Sequence, residues 1–305
     1  MKLPIYLSLA TLLLPLALHA QNQDAAVADR AETVSQASGD LPGTPHNASG
    51  RTEGEAAPEA APTAAPTWDR VIGLTTNYRP RYPGAARRSI RSGPAFYLRY
   101  GRFTITNASG FAPRRSEVVA GGLGVDVLRG ERLAASLSLR YDNGRSENSS
   151  PAYAGLGNIQ KTLRARMAVS WDFKGPWRLG AAWNADVAGR GNGGVGDISG
   201  VWERHLDKAT TLSLSASLTA GDARYMQAYY GITPQQAARS IYPAFEARAG
   251  LRDMNVGVGL RHDLDRDWVA VASFNASRLL GGAANSPMTS SRNGWGLGGG
   301  LGWRF

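Results

Sequence analysis

The chain has no cysteine among its 305 residues. That excludes a disulfide framework, a thiolate metal site and a lipidated cysteine anchor. Beyond the first twenty residues no run approaches the roughly 18 consecutive apolar residues that a membrane helix requires. A membrane-spanning reading must therefore rest on strands, because a closed barrel is the other structure that pairs every backbone group in lipid. Histidine is scarce as well, at four residues. His19 and His46 lie in the N-terminal region. His205 and His262 fall near strand ends without a recognisable serine partner, and His262 and Asp263 alternate across a strand and cannot face each other. A hydrolase needs a nucleophile, a histidine and an orienting group at one place, so an enzyme is not expected. No His/Asp/Glu spacing suggests a metal, no glycine loop suggests a phosphate cofactor, and no catalytic, metal or cofactor residue is assigned.

What is present begins with a leader. Lys2 forms a short positive region, Leu3 to Leu18 an apolar one interrupted by Pro15, and Ala20 a cleavage position. Residues 1–20 thus read as a secretory signal peptide. Residues 21–66 are rich in Ala, Pro, Glu, Thr and Ser and end in EAAPEAAPTAAP before Thr67. Such a segment buries too little surface to offset its ordering entropy and reads as a disordered tether, with an r.m.s. span of roughly 35–40 Å. It holds seven acids and two arginines, so the formal charge of +10 understates how basic residues 67–305 are. A basic exported domain suggests anionic lipid or another polyanion as partner rather than nucleic acid.

From Trp68 onward apolar and polar residues alternate with a period of two, the signature of strands with unlike faces. Leu212, Leu214, Ala216 and Leu218 oppose Ser213, Ser215 and Ser217; Leu163, Met167, Val169 and Trp171 oppose Arg164, Arg166, Ser170 and Asp172. Trp177 to Val187, Leu133 to Tyr141 and Met254 to Leu260 behave alike, and weaker segments cover 68–76, 94–100, 102–107, 118–128, 196–206 and 268–278. The last segment, GWGLGGGLGWRF, places Trp295, Leu297, Leu301, Trp303 and Phe305 on one face and glycines with Arg304 on the other. Aromatics at both ends of an apolar face match a lipid-facing surface, and the bare face suits a wall beside something bulky. Trp303 and Phe305 are assigned as an assembly signal, since outer-membrane barrels usually finish on an aromatic residue.

These segments make twelve strands. Their connections alternate strictly between five short turns (near Gly101, at Gly130, Gly175, Asp207 and Arg266) and six long loops (77–93, 108–117, 142–160, 188–195, 222–253 and 279–293). Outer-membrane barrels keep short turns in the periplasm and long loops outside. The expectation is an all-β transmembrane antiparallel β-barrel over residues 67–305, in the outer membrane of a Gram-negative cell, with the tether in the periplasm. A β-sandwich also alternates, but turns its apolar faces inward.

Strand parity assigns Arg99, Arg140, Arg164, Arg166, Arg178, Arg261 and Arg304 to the lumen, with Asp126, Asp172, Asp186, Glu203 and Asp263. Paired, these charges would plug a barrel of this size; left unpaired, the arginine excess would make a narrow anion-favouring pore. Arg79, Arg81, Arg87, Arg88 and Arg91 form a cluster with no acid between residues 77 and 93. On an external loop they would meet lipopolysaccharide phosphates, or else be an ordinary solvated charge run.

Three stretches, Tyr141 to Ile159, Tyr225 to Phe245 and Ser277 to Pro287, with the final strand, resemble the MipA/OmpV outer-membrane family, whose name abbreviates "MltA-interacting protein". The family's aromatic–Gly–Val–Thr–Pro loop corresponds to Tyr230, Gly231, Ile232, Thr233 and Pro234, and its small-residue run to Gly281 to Pro287, with Gly282 standing where an acid is expected. The similarity covers the barrel and not the tether. It implies an outer-membrane barrel that scaffolds a murein-degrading transglycosylase and a murein synthase; other members are viewed as porin-like, so a small weakly anion-selective channel is the alternative. The loop Gly231 to Ala244 is then either a partner-binding element or a fold over the barrel mouth.

Overall fold

The computed structural model describes residues 68–107, 111 and 121–305. The expected signal peptide and tether lie outside the described residues. Twelve described strands close into an antiparallel barrel in chain order, the first pairing with the last. They are β1 (Trp68–Pro80), β2 (Arg88–Tyr100), β3 (Phe103–Thr106), β4 (Gly122–Arg129), β5 (Leu133–Asp142) and β6 (Thr162–Asp172). The second half comprises β7 (Trp177–Asp186), β8 (Gly194–His205), β9 (Thr210–Gly221), β10 (Gly250–Asp263), β11 (Trp268–Leu279) and β12 (Asn293–Arg304). Five tight turns lie at one end, the turn end, and six longer connections at the other, the loop end.

The seam runs from Val71 opposite Arg304 to Tyr78 opposite Leu297, so no strand edge is left between β1 and β12. The alternation becomes two unlike surfaces. Leu74, Leu139, Met167, Val169, Leu179, Leu214, Val258 and Leu301 are exposed on the outer face. Such a continuous apolar belt on a soluble protein would be an aggregation hazard; on a closed barrel it is the surface that meets lipid. Aromatic residues bound it. Trp68, Trp171, Trp177, Trp268, Trp303 and Phe305 stand at the turn end, and Tyr78, Tyr141 and Trp295 near the loop end. No described helix is long and apolar enough to cross a membrane.

The first strands differ in their bounds from the sequence expectation. β1 and β2 run on to Pro80 and back from Arg88, so the first long connection shrinks from 77–93 to residues 81–87. The apolar alternation is interrupted at the start of the extension, where the outward Thr76 and Ser92 hydroxyls hydrogen-bond at 2.9 Å. β3 is only four residues long, because Asn107 takes over the ladder. Its side chain accepts from the Phe96 amide (2.8 Å) and donates to the Pro94 carbonyl (3.0 Å). β4 is described from Gly122, and residues 118–120 of the expected segment lie outside the described set.

The bulky object beside the glycine face of β12 is Phe111. It comes from the connection between β3 and β4 and is fully buried in the lumen near the turn end, against Val71, Ala95, Tyr97 and Val269. A Cβ on Gly302 would lie 2.8 Å from its ring, and one on Gly300 3.0 Å. Glycine at these two positions makes the room that the ring occupies.

Candidate functional site

The lumen is built from the inward face of each strand. At the turn end Arg99, 5 % exposed, donates to Asp126 at 2.9 Å, which also accepts from Arg129. Arg178 pairs with Asp172 at 2.7 Å. Asp263 takes Arg261 at 3.4 Å and also contacts Arg304. Higher up, Arg166 pairs with Asp197 at 3.1 Å. Near the loop end Arg164 pairs with Asp142 at 2.5 Å and donates to the carbonyls of Gly193 and Asn192. Burying a guanidinium is costly unless a carboxylate and further acceptors meet it, and these partners supply both.

Two of the acceptors, Asp142 and Asp197, were not in the expected lumen set. Both sit at inward positions of β5 and β8, so parity would have found them. Among the described residues Asp186 takes no arginine directly: its carboxylate accepts from Thr162 and, at 2.9 Å, from the Asn192 amide. Arg140 and Glu203 face inward and are engaged within the protein. The wall formed by β9 to β12 is unlike the arginine wall. Ser213, Ser215, Ser217, Asn255, Ser273, Asn275 and Ser277 line it with glycines between them.

The loop end carries a second core. Helix α1 (Ala223–Tyr230) is capped by Asp222, which accepts from the Tyr225 amide at 2.7 Å. Helix α2 (Pro234–Ala237) opens on a capping box formed by Thr233 and Gln236. Helix α3 (Gly281–Asn285) precedes β12. Tyr225, Met226, Tyr230, Ala247, Leu279 and Ala283 form one buried cluster; Tyr153, Leu156, Ile232 and Met288 form another. Each residue of the Tyr230–Pro234 motif has a place here. The Tyr230 carbonyl accepts from Ser286 at 2.7 Å, Gly231 donates to Gln227, and Ile232 exchanges backbone bonds with Phe245. Thr233 caps α2, and Pro234 starts it. Gly155, at φ +80°, lets the 142–160 loop touch the Arg239 carbonyl, where a Cβ would collide. The loop Gly231 to Ala244 is therefore folded into a cap with its neighbours.

Arg145, in the 142–160 loop, is 7 % exposed and meets no carboxylate among the described residues. Its guanidinium lies 4.7 Å from the Tyr153 ring centroid and donates to the Tyr229 carbonyl at 3.4 Å. Burial pushes its pKa down, and burial pushes the Tyr153, Tyr229 and Tyr230 phenols up, so these tyrosines stay neutral.

The expected arginine cluster is divided by strand parity. Arg79 and Arg91 lie on inward positions, Arg79 opposite Ser89 and Arg91 opposite Asn77. Arg88 lies outside, its guanidinium 3.5 Å above the Trp295 ring. Arg81 and Arg87 are exposed in the connection between β1 and β2. The five do not form one external patch, because β1 and β2 carry three of them. Trp303 and Phe305 stack at the turn end with centroids 4.9 Å apart. His205 and His262 contact the hydroxyls of Thr211 and Thr210, each at 2.9 Å. Among the described residues no group of three His, Cys, Asp or Glu side chains is placed to hold a metal.

Solved structures similar to this chain include the NanC porin, at 9% sequence identity and a TM-score of 0.41, over 77% of this chain and 100% of that one. The outer-membrane channel DcaP of Acinetobacter baumannii gives 10% and 0.37 over 79% and 97%. OmpT, an outer-membrane protein of Vibrio cholerae, gives 9% and 0.35 over 81% and 100%. No curated protein matches the chain. The family described as MltA-interacting protein MipA matches residues 72–305, from the first turn-end residues of β1 to Phe305. This chain is a member of the MipA family.

Proposed function

We propose that the protein is a non-enzymatic outer-membrane barrel serving as a scaffold, docking murein-remodelling enzymes at its turn end in the periplasm. The observation that carries this reading is the contrast between a lumen in which Arg99, Arg164, Arg166, Arg178, Arg261 and Arg304 are held in ion pairs beneath a packed cap and a turn end that presents exposed charge. Lys174, Lys208 and Arg266 project there beside Asp207 and Asp265, on turns short enough to hold them still. The family description names MltA as a partner, and the family resemblance implies a murein transglycosylase and a murein synthase. Crosslinking in intact cells, with mass spectrometry of what is captured, tests the reading. Recovery of periplasmic murein enzymes through residues 174, 208 or 266 supports it, and capture through the loop end alone counts against it.

One feature favours a second reading, a small weakly anion-selective channel. Midway along β9 to β12 the inward Ser, Asn and Gly residues carry no charge, and Ser215 is exposed to the lumen. Stable unitary conductance of the purified protein in planar bilayers would favour that alternative.

A further inference from the structure

The outer rim at the loop end, across β2, β1, β12 and β11, is rich in arginine and free of carboxylate. From Trp68 to Asn107 the one acid is Asp69, at the opposite end of the barrel, and from Trp268 to Phe305 there is none. Strand register fixes which arginines face outward. Tyr78 lies opposite Ile90 and Leu297, and Arg88 lies opposite Pro80, so Arg88 shares the outer face with Tyr78 and Trp295. On β11, Ala276 lies opposite Trp295 and Arg278 opposite Asn293, one pleat further out. Arg278 therefore stands one strand, about 5 Å, to the side of the Trp295 strand and about 7 Å further along.

Arg88 is held in place. Its guanidinium is 3.5 Å from the Trp295 centroid and 5.8 Å from that of Tyr78, and Nη1 donates to the Trp295 carbonyl at 3.3 Å. One face and one N–H are thus used, while its other donors meet no acceptor among the described residues. Arg87 and Arg278 are exposed and have no ion-pair partner among the described residues. A guanidinium fixed on an aromatic at the membrane boundary, with its donor edge open, has the shape to grip phosphate oxygens in pairs.

We propose that Arg87, Arg88 and Arg278, on the Tyr78–Trp295 platform, bind the phosphates of lipopolysaccharide. Three arginines without a carboxylate to balance them match a headgroup with several phosphates, whereas a phospholipid offers a single phosphodiester. Arg79 and Arg91, which face inward, are not part of this site. The cellular role rests on the loop end lying outside, as under the proposed function; the binding itself does not, so purified protein separates the two.

The test uses the full chain in detergent micelles, titrated with fluorescent lipid A carrying both phosphates, and with the same lipid after dephosphorylation. Heat-modifiable migration confirms folding beforehand. The wild type is expected to prefer the phosphorylated lipid by about tenfold or more, and R88Q combined with R278Q to lose about tenfold in affinity, with R91Q unchanged. Indifference to the phosphates, or an R91Q variant as weak as the double variant, would overturn the proposal. Phosphatidylglycerol binding as tightly as lipid A would overturn the choice of headgroup. If the double variant does not fold, R88K supplies the measurement: it keeps the charge but loses the fork, so wild-type affinity in R88K contradicts the site. Protease accessibility of the loop end on intact cells tests orientation separately.

Discussion

The loop end of this barrel carries α1, α2 and α3 around Tyr225, Met226, Tyr230 and Ile232, while the turn end carries five connections of two to four residues whose side chains face solvent. The apolar cluster nearest the turn end lies inside the wall, where Phe111 fills the space left by Gly300 and Gly302. A membrane barrel turns most of its apolar residues outward, so its connections must supply much of its inner core. Here one connection sends a ring down the lumen and the others fold over the mouth. Interaction with other proteins is then to be sought at the turn end, where connections are not consumed in packing.

The largest effect expected from this comparison falls on Phe111. Phe111→Ala should cost about 3–5 kcal/mol, the usual range for emptying a buried aromatic site. Gly302→Leu should also destabilise, because its side chain meets the ring. Combining them should cost less than the sum, since one side chain fills the space vacated by the other. Thermal unfolding in detergent of the two single variants and the double variant measures the coupling; strict additivity would show that Phe111 does not pack on the glycine face.

Met226→Ala comes next. It removes a fully buried side chain from the cap, at about 2–5 kcal/mol. The cost should be local. Limited proteolysis is expected to cut within residues 222–249 while the heat-modifiable barrel band persists. Loss of that band would mean that cap and wall fold as one unit.

The fold was legible wherever lipid imposes alternation. Leu212 to Leu218 and Leu163 to Phe173 declare their faces because one side must be apolar along the whole span. Legibility ends at the membrane boundary, where that demand lapses: the Thr76–Ser92 pair interrupts the apolar pattern of β1 and β2, and Arg79, Arg88 and Arg91, close in sequence, alternate across the wall. Parity showed which arginines point inward but not which acid each meets, because partners such as Asp142 and Asp197 depend on neighbouring register. The glycine face of β12 called for a bulky neighbour, yet nothing local identifies Phe111, which arrives from a connection far away in the chain. In the cap, Asp222 and Thr233 are ordinary capping residues that short helices left below the level of periodicity.

At the turn end Phe305→Ala should reduce membrane assembly more than Arg304→Ala. Phe305 stacks on Trp303 and lies under Arg70, with centroid distances of 4.9 and 4.6 Å, contacts worth about 0.5–1.5 kcal/mol as an aromatic pair. Loss of Arg304 leaves Asp263 still within reach of Arg261. The surface-protected, heat-modifiable fraction at matched expression ranks the two variants. The reverse order would place the outer aromatic row below the lumen pair in importance for assembly.

The smallest effect is one of pH, and it runs in opposite directions at the two ends. Asp207 accepts from the amides of Ala209 (2.7 Å) and Thr210 (2.8 Å), and these bonds, the one from Ala209 foremost, hold its carboxyl below the usual aspartate range. A depressed carboxylate pKa contributes stability that is present above its unfolded value of about 4 and is lost as pH falls through the folded value. The turn between β8 and β9 should therefore loosen only in acid. The cap tyrosines Tyr153, Tyr229 and Tyr230 are displaced upward by burial, so their contribution is complete below about pH 10 and is lost as pH rises further. Amide protection at Ala209 and Thr210 should fall below pH 4 while that of Met226 holds, and the order should invert in alkali. Simultaneous loss at both ends would indicate global unfolding rather than two separately held regions, and Asp207→Asn should remove the acid response of the turn without touching the alkaline response of the cap.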